Sequence, residues 1–336
     1  MPALSGLKSE SNCFMKLSVI IVSWNVKNDL LNCLRSIEEN RPNYNFEIIV
    51  VDNTSTDGTV DLLRKDFSNV QLLANTENRG FSAANNQAIE IAKGEYVLLL
   101  NPDTIVQPHS LDNLVRILDE NPTVGACGPR LTDTDGTTCP SVGYVPTFRA
   151  LLYGKTFFRS VGIFRGHYKK LTAHRFNYDS QTDVEQLSGA ALLVRRSVMR
   201  EIGLMDDNFF MYYEDVDLCL RIRKAGWRIV YVPEAVIVHV GGRSSGQVSH
   251  RKNIMLYKSL FIYFRKHRGQ PATALFRLLF KLAVIIRHIL NMILATAVFV
   301  ISILLFDRRK RLKTQAKIKD SMNFLARHSW EFMFKT

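Results

Sequence analysis

The sequence predicts an α/β fold with a mostly parallel central sheet flanked by helices, and three observations carry that reading. Leu17–Ser23 (LSVIIVS), Phe46–Val51 (FEIIVV) and Tyr96–Leu100 (YVLLL) are short, almost continuous apolar runs, the pattern of strands buried on both faces. Helically spaced segments separate them, which implies βαβ units. The second and third runs stop abruptly at carboxylates, Asp52 and the Asn101-Pro102-Asp103 turn. Right-handed crossovers bring parallel strand ends to one rim, the edge at which open α/β sheets bind ligands.

In chain order, Asn28 is placed to cap a helix over DLLNCLRSIEEN, and Val70–Ala74 is a shorter strand. Helices are expected over Ser82–Lys93 and Ser110–Glu120, and a strand over Val124–Pro129. From Leu131 to Asp183 the pattern dissolves into polar turns and an aromatic, basic stretch holding Phe148, Tyr153, Phe157, Phe158, Phe164 and Tyr168. That stretch reads as a loop facing acceptor or membrane, or as packing over the sheet. Val184–Arg195 reads as a strand whose Ser188-Gly189-Ala190-Ala191 permits close approach. An aromatic block, Phe209–Tyr213, opens a helix that runs to Ala225 and is stopped by Gly226. Arg228–Val232 and Ala235–His239 are expected as two further strands.

The rim carries no phosphate loop. Trp24-Asn25-Val26-Lys27-Asn28 follows the first strand, with neither a glycine-rich dinucleotide fingerprint nor a Gly-Lys-Ser/Thr sequence. A nucleotide held here needs strand-end carboxylates to accept from base or ribose, and a hard divalent ion, Mg²⁺ or Mn²⁺, to manage the phosphates. Asp103 suits such an ion, although its turn also reads as a plain connection to the next helix. Glu214, Asp215 and Asp217 suit a helix N-terminus, and the apolar walls in front of them would raise a carboxyl pKa toward that of a usable base. His239, at a strand end before Gly241 and Gly242, is a candidate ligand.

The 336 residues allow one large domain with additions, or two domains. Five cysteines without Cys-x-x-Cys spacing suggest neither a disulfide framework nor a zinc site, and fit a reducing compartment. The first sixteen residues lack the apolar core of a secretory signal, which places the chemistry on the cytosolic side. Residues 251–336 hold 18 Lys and Arg against 3 acids, while the preceding 250 are close to neutral. This basic tail also carries the longest apolar run, Ala272–Phe306, and the combination points to an anionic membrane surface rather than nucleic acid. Arg277, Lys281, His288 and Asn291 share one narrow stripe at 100° per residue. Ile289–Phe306 would span about 27 Å as a helix, at the limit for a crossing. Basic clusters at Arg265–Arg268 and Arg308–Arg311 flank the run on both sides. Helices lying in the cytoplasmic leaflet are therefore expected ahead of a span, a hairpin or burial under the catalytic domain. The expected division is an extension over 1–15, a catalytic domain over 16–250 and a membrane-association region over 251–336.

Seven motifs in order give the chain its resemblance: SVIIVSWN, VVDNTSTDGT, ENRGFSAANNQAI, YVLLLNPDT, LSGAALLVRR, FFMYYEDVDLCLRIRKAGW and HVGG. Over about Lys16 to Ser244 it resembles family 2 glycosyltransferases of the GT-A fold, in particular bacterial rhamnosyltransferase-type enzymes of polysaccharide assembly. The resemblance implies a nucleoside-diphosphate sugar donor, dTDP- or UDP-linked, bound through Asp52, Asn53, Arg79, Asn101 and Asp103. It makes Asp103 and His239 ligands of Mg²⁺ or Mn²⁺, with Asn101 standing where the family has the first acid of its Asp-x-Asp motif. Asp215 matches the general base, with Glu214 beside it, and one base opposite one metal implies single displacement with inversion. A lipid-linked glycan acceptor follows from membrane attachment. The rival readings are a sugar-nucleotide nucleotidyltransferase and a non-catalytic membrane-bound binding protein.

Overall fold

The computed structural model describes residues 14–241, 249–304 and 308–328, so most of the expected N-terminal extension, Gly242 of the HVGG motif and the end of the apolar run at Phe306 lie outside the described residues. Nine strands pair in one sheet: β1 (Leu17–Ser23), β2 (Phe46–Asp52), β3 (Val70–Ala74), β4 (Tyr96–Leu100), β5 (Thr104–Val106), β6 (Val124–Thr132), β7 (Thr182–Asp183), β8 (Ala191–Arg195) and β9 (Arg228–His239). Helices α1 (Lys27–Glu39), α2 (Thr59–Asp66), α3 (Phe81–Ile91) and α4 (Ser110–Glu120) follow β1, β2, β3 and β5 in turn. Three short helices follow, α5 (Phe148–Lys155), α6 (Phe158–Val161) and α7 (Arg165–Leu171), then α8 (Arg196–Ile202) and α9 (Glu214–Lys224). The C-terminal helices are α10 (Ser249–Arg268), α11 (Gln270–Leu304) and α12 (Arg308–Asn323).

Over these residues the chain divides into two compact units, one with bounds Met1–Ser141, Asn177–Phe210 and Glu214–Gln247, the other Val142–Phe176, Met211–Tyr213 and Val248–Thr336. The first unit contains the sheet, in the order β3-β2-β1-β4-β8-β6-β9-β5, with β7 on β9. β1 to β4 are parallel, β6 and β9 run with them, and β8 is inserted antiparallel between β4 and β6. β1 and β4 are buried throughout. Leu111, Leu114, Val115, Ile117 and Leu118 of α4 join the same core, each worth about 1.5–3 kcal/mol of transfer free energy when fully buried.

Several local expectations give way to longer-range contacts. α1 begins at Lys27, whose N–H donates to the Asp57 carboxylate at 2.9 Å, so Asn28 lies inside the helix and not at its cap. The two strands expected over 228–239 are one strand with a register shift between Val232 and Val236, where Pro233 cannot donate to the ladder. The strand expected over 184–195 is interrupted: Gln186–Leu187 is extended, residues 188–190 leave the ladder, and β8 starts at Ala191.

In the second unit Phe148 of α5 lies 4.4 Å, centroid to centroid, from both Phe264 of α10 and Phe276 of α11. The aromatic stretch therefore packs with the tail helices, a partner that sequence reading had not considered. Along α11 the expected polar stripe divides, with Arg277 and Asn291 exposed but Lys281 and His288 buried, His288 stacked on Phe324 at 4.0 Å. Leu278, Leu282, Ile289, Ile293, Leu294 and Ile301 are exposed on the same helix. Among the described residues, Gln270–Ile303 is the one helix long and apolar enough to cross a membrane.

Candidate active site

The parallel strands deliver their polar ends to one rim. Asp52, the last residue of β2, is buried; its Oδ2 accepts from the Ser55 N–H at 2.8 Å, and its Oδ1 has no partner among the described residues. Ser23 ends β1 in register with Asp52, and its buried hydroxyl is likewise unpartnered. Sequence reasoning passed over Ser23, whose signal was a lone hydroxyl closing an otherwise apolar strand. Buried polar atoms are almost always satisfied, so two orphans side by side make this a candidate ligand site.

Asn53 behaves differently. Its amide donates to Asn78 Oδ1 and the Gly80 carbonyl, and its oxygen accepts from Asn75 Nδ2 and the Arg79 N–H. The side chain is thereby fully used in holding the 75–80 loop, which leaves the Arg79 side chain exposed beside the rim.

The turn after β4 is tied at both ends. Asn101 N–H donates to the Ala190 carbonyl at 2.9 Å, and Val240 N–H donates to the Asp103 carbonyl at 3.0 Å. β5 pairs antiparallel with β9, placing His239 opposite Thr104. His239 Nε2 then lies 3.3 Å from Asp103 Oδ1 and 3.5 Å from Asn101 Nδ2. No cluster of three or more His, Cys, Asp or Glu exists among the described residues, where Asp103 and His239 are the candidate pair for an ion at this rim. Such a set fits Mg²⁺ or Mn²⁺ held jointly with substrate phosphates better than a resident metal, because these ions are bound through one or two carboxylates plus phosphate oxygens.

Glu214 and Asp215 open α9. Asp215 accepts from Gly189 N–H at 2.9 Å and from its neighbour Val216 N–H at 2.8 Å. A Cβ added at Gly189 would stand 3.1 Å from Asp215 Cβ, so the close approach that the small residues permit is made by the acid itself. Gly189 and Ala190 are consecutive, and the first donates to Asp215 while the carbonyl of the second accepts from Asn101 N–H, so the break in the expected strand touches both positions. Glu214 is buried with Oε2 unpartnered, and burial, followed by the charge of Asp215, pushes its carboxyl up to about 8. Burial also raises Asp215, opposed by the two amide donors. Burial thus disfavours the charged form of both acids, and the amide hydrogen bonds favour the charged form of Asp215. Asp217 is spent elsewhere, on Arg221 at 2.8 Å, which in turn donates to the carbonyls of Ile202, Gly203 and Leu204.

The aromatic block is anchored upstream by Gly80. That glycine has φ +83°, a Cβ there would meet Phe210 at 2.7 Å, and the Phe210 carbonyl accepts from Phe81 N–H at 2.7 Å.

Comparison with solved structures gives the class first. The chain superposes on a mannosyltransferase from Pyrobaculum calidifontis solved with GDP-Man and Mn²⁺, with a TM-score of 0.54 at 20% identity over 93% of this chain and 88% of that one. A GalNAc-T7 structure with UDP, GalNAc and Mn²⁺ matches with a TM-score of 0.51 at 17% identity, covering 68% of this chain and 44% of that one. Both similarities concern the fold, which is the GT-A α/β fold. The family follows from sequence: a model described as "Glycosyl transferase family 2" matches residues 18–201. An N-acetylglucosaminyl-diphospho-decaprenol L-rhamnosyltransferase of Mycobacterium tuberculosis is 36% identical over 248 residues, covering 70% of this chain and 78% of that protein. The rhamnosyltransferase WbbL of Escherichia coli is 27% identical over 56% of this chain and 71% of its own length. The chain belongs to glycosyltransferase family 2, and it is a glycosyltransferase.

Proposed function

We propose that the protein transfers a sugar, rhamnose in the first instance, from a dTDP- or UDP-linked donor to a hydroxyl of a lipid-linked glycan, with inversion at the anomeric carbon. The observation that carries this reading is the loop 188–190, which holds the Asp215 carboxylate by one residue and the Asn101–Asp103 turn by the next. A base and a leaving-group site are thereby joined across a loop of small residues, as a single displacement requires.

Asp52 Oδ1 and Ser23 Oγ would receive the base and ribose, with Arg79 closing over them. Adjacent strands are separated by about 4.8 Å, so the β2 end stands roughly 10 Å from the β4 end, with β1 between. That separation suits a nucleoside bound at Asp52 whose diphosphate extends toward Asp103. Asn53 supports the site through the 75–80 loop. Asp103 and His239 would hold the divalent ion, which offsets the charge of the departing diphosphate when bound. Asp215 takes the acceptor proton, and Glu214, protonated beside it, limits the local negative charge. The 36% identical mycobacterial relative, named for a diphospho-decaprenol-linked acceptor, supports a polyprenyl carrier. The exposed apolar face of α11 and the basic residues around it support attachment to the cytoplasmic leaflet of the inner membrane.

The test is calorimetric titration of dTDP and UDP into the detergent-solubilised chain with and without Mn²⁺, repeated on Asp103→Ala. The same preparations are assayed with dTDP-rhamnose and N-acetylglucosaminyl-diphospho-decaprenol, and the product's anomeric configuration is read by NMR. Metal-dependent binding of one nucleotide that is lost in the variant, with an inverted product, is expected. Absence of nucleotide binding under every condition, or a retained anomeric configuration, would overturn the reading.

A further inference from the structure

A groove of about 420 Å³ lies along β6 and β9 near the β5 edge of the sheet, lined by Gln107, Arg130, Thr132, Asp133, Val236 and Val238 among others. These residues, like Gly189 and the acid pair, all belong to the sheet unit. Leu131 and Ile237 join the core that α4 shares, so strand alternation turns Arg130, Thr132, Val236 and Val238 to the opposite face. Gly128 of β6 is on that opposite face too, where a Cβ would stand 3.1 Å from Leu187 Cδ1. The Leu187 carbonyl accepts from the Cys219 thiol of α9 at 3.9 Å. The groove and the helix that opens with Glu214 and Asp215 therefore share one face of the sheet.

Register sets their separation. β8 runs antiparallel to β6 with Leu193 opposite Cys127, and that register, continued, brings Gly189 level with Leu131. Val236 and Val238 stand opposite Arg130 and Thr132 on the next strand. Gly189, whose N–H donates to Asp215, is thus one to two strand spacings from the groove, roughly 5–10 Å. A sugar ring with its substituents covers that interval.

The lining is mixed in character. Val236 and Val238 give an apolar floor, and Gln107, Arg130, Thr132 and Asp133 put donors and acceptors around it. Arg130 Nη2 donates to the Tyr178 carbonyl at 2.9 Å and to Asp179 Oδ1 at 3.0 Å, while its buried Nε has no partner among the described residues. A pyranose offers the matching mixture, a C–H face for the valines and hydroxyls that both donate and accept. A diphosphate matches less well, because Asp133 and Asp179 would oppose its charge.

We infer that this groove is the subsite for the acceptor's sugar ring, which lies on Val236 and Val238, bonds through its hydroxyls to Arg130, Thr132 and Gln107, and directs the reacting hydroxyl to Asp215. The inference rests on the reading of Asp215 as the acceptor-side base. It assigns acceptor recognition to the β5 side of the sheet, away from Asp52 at the β2 end.

The experiment compares Val236→Phe, which fills the groove, Arg130→Met, which removes its guanidinium, and Asp215→Asn with the unaltered full chain, all in vesicles of phosphatidylethanolamine and phosphatidylglycerol. kcat and both KM values are measured with dTDP-rhamnose and N-acetylglucosaminyl-diphospho-decaprenol, dTDP affinity by calorimetry, and folding by Tm. Val236→Phe and Arg130→Met are each expected to raise the acceptor KM about tenfold, the scale of one hydrogen bond or of one obstructed contact, with donor KM and dTDP affinity within about twofold of the unaltered chain. Arg130→Met carries the test by itself if Val236→Phe does not fold. An unchanged acceptor KM in a folded variant would overturn the inference, as would a parallel loss of dTDP affinity, which is what general damage to the sheet produces. Full activity in Asp215→Asn removes the acid-pair reading on which the subsite rests, whereas an inactive Asp215→Asn beside an unchanged acceptor KM in Val236→Phe and Arg130→Met removes the subsite alone.

Discussion

Asp52 and Glu214 are both buried carboxylates with one oxygen unpartnered among the described residues, yet their surroundings differ in kind. Asp52 ends a strand, takes an amide hydrogen bond from Ser55 and has the Ser23 hydroxyl in register beside it. Glu214 opens a helix behind aromatic residues, next to a second acid, and burial and that neighbour push its carboxyl up to about 8. A carboxylate with an amide donor and a hydroxyl beside it suits recognition of N–H and O–H groups, whereas burial beside another acid disfavours the charged form. The two ends of the site therefore differ in environment more than in residue type.

That contrast can be broken in order of expected effect. Asp215→Asn should lower kcat by about 10³-fold, within the range for loss of a general base, and leave dTDP or UDP affinity unchanged by calorimetry. If nucleotide binding fell instead, the acid pair would belong to the donor end. Asp52→Asn should do the opposite, weakening nucleotide binding about 10- to 100-fold, as loss of a charged acceptor opposite a buried donor does, with a smaller change in kcat at saturating donor. Gly189→Ala should reduce kcat several-fold, roughly 1 kcal/mol in the barrier, without altering nucleotide affinity, because its Cβ would stand 3.1 Å from Asp215 Cβ. A further expected effect concerns stability against pH. Folded Glu214 keeps its proton up to about 8, while the unfolded group releases it near 4.5, so the folded state binds more protons between those values and stability falls as pH rises through that window. Glu214→Gln should flatten that fall and raise Tm relative to the unaltered chain at pH 8 but not at pH 4, as measured by scanning calorimetry.

The proposed donor end was the more legible one. Short β-branched and leucine runs bounded by turns and alternating with helices fit buried parallel strands, and a carboxylate at the end of such a run falls at the strand's end. Asp52, Asp103 and His239 were placed on strand ends by that logic, and the structure puts them there. Asn53 sits in the same turn as Asp52, but its four hydrogen bonds to residues 75, 78, 79 and 80 could not be foreseen, since none of those partners is local. The same limit explains Asn28, displaced from a capping role by Asp57, and the strand expected over 184–195, which breaks where Gly189 N–H donates to Asp215.

From the sequence alone came the α/β class, the strand ends and their acids, and the apolar, basic tail, because each depends on periodicity or composition within one segment. Tertiary structure decided which polar groups are already spent and which are left over. Asn53 and Asp217 are used up, Asp52 and Glu214 each keep one oxygen without a partner among the described residues, and the aromatic stretch around Phe148 finds its partners more than a hundred residues away, at Phe264 and Phe276. Hydrogen-bond satisfaction and desolvation are sums over every neighbour in space, and a linear pattern does not contain those sums.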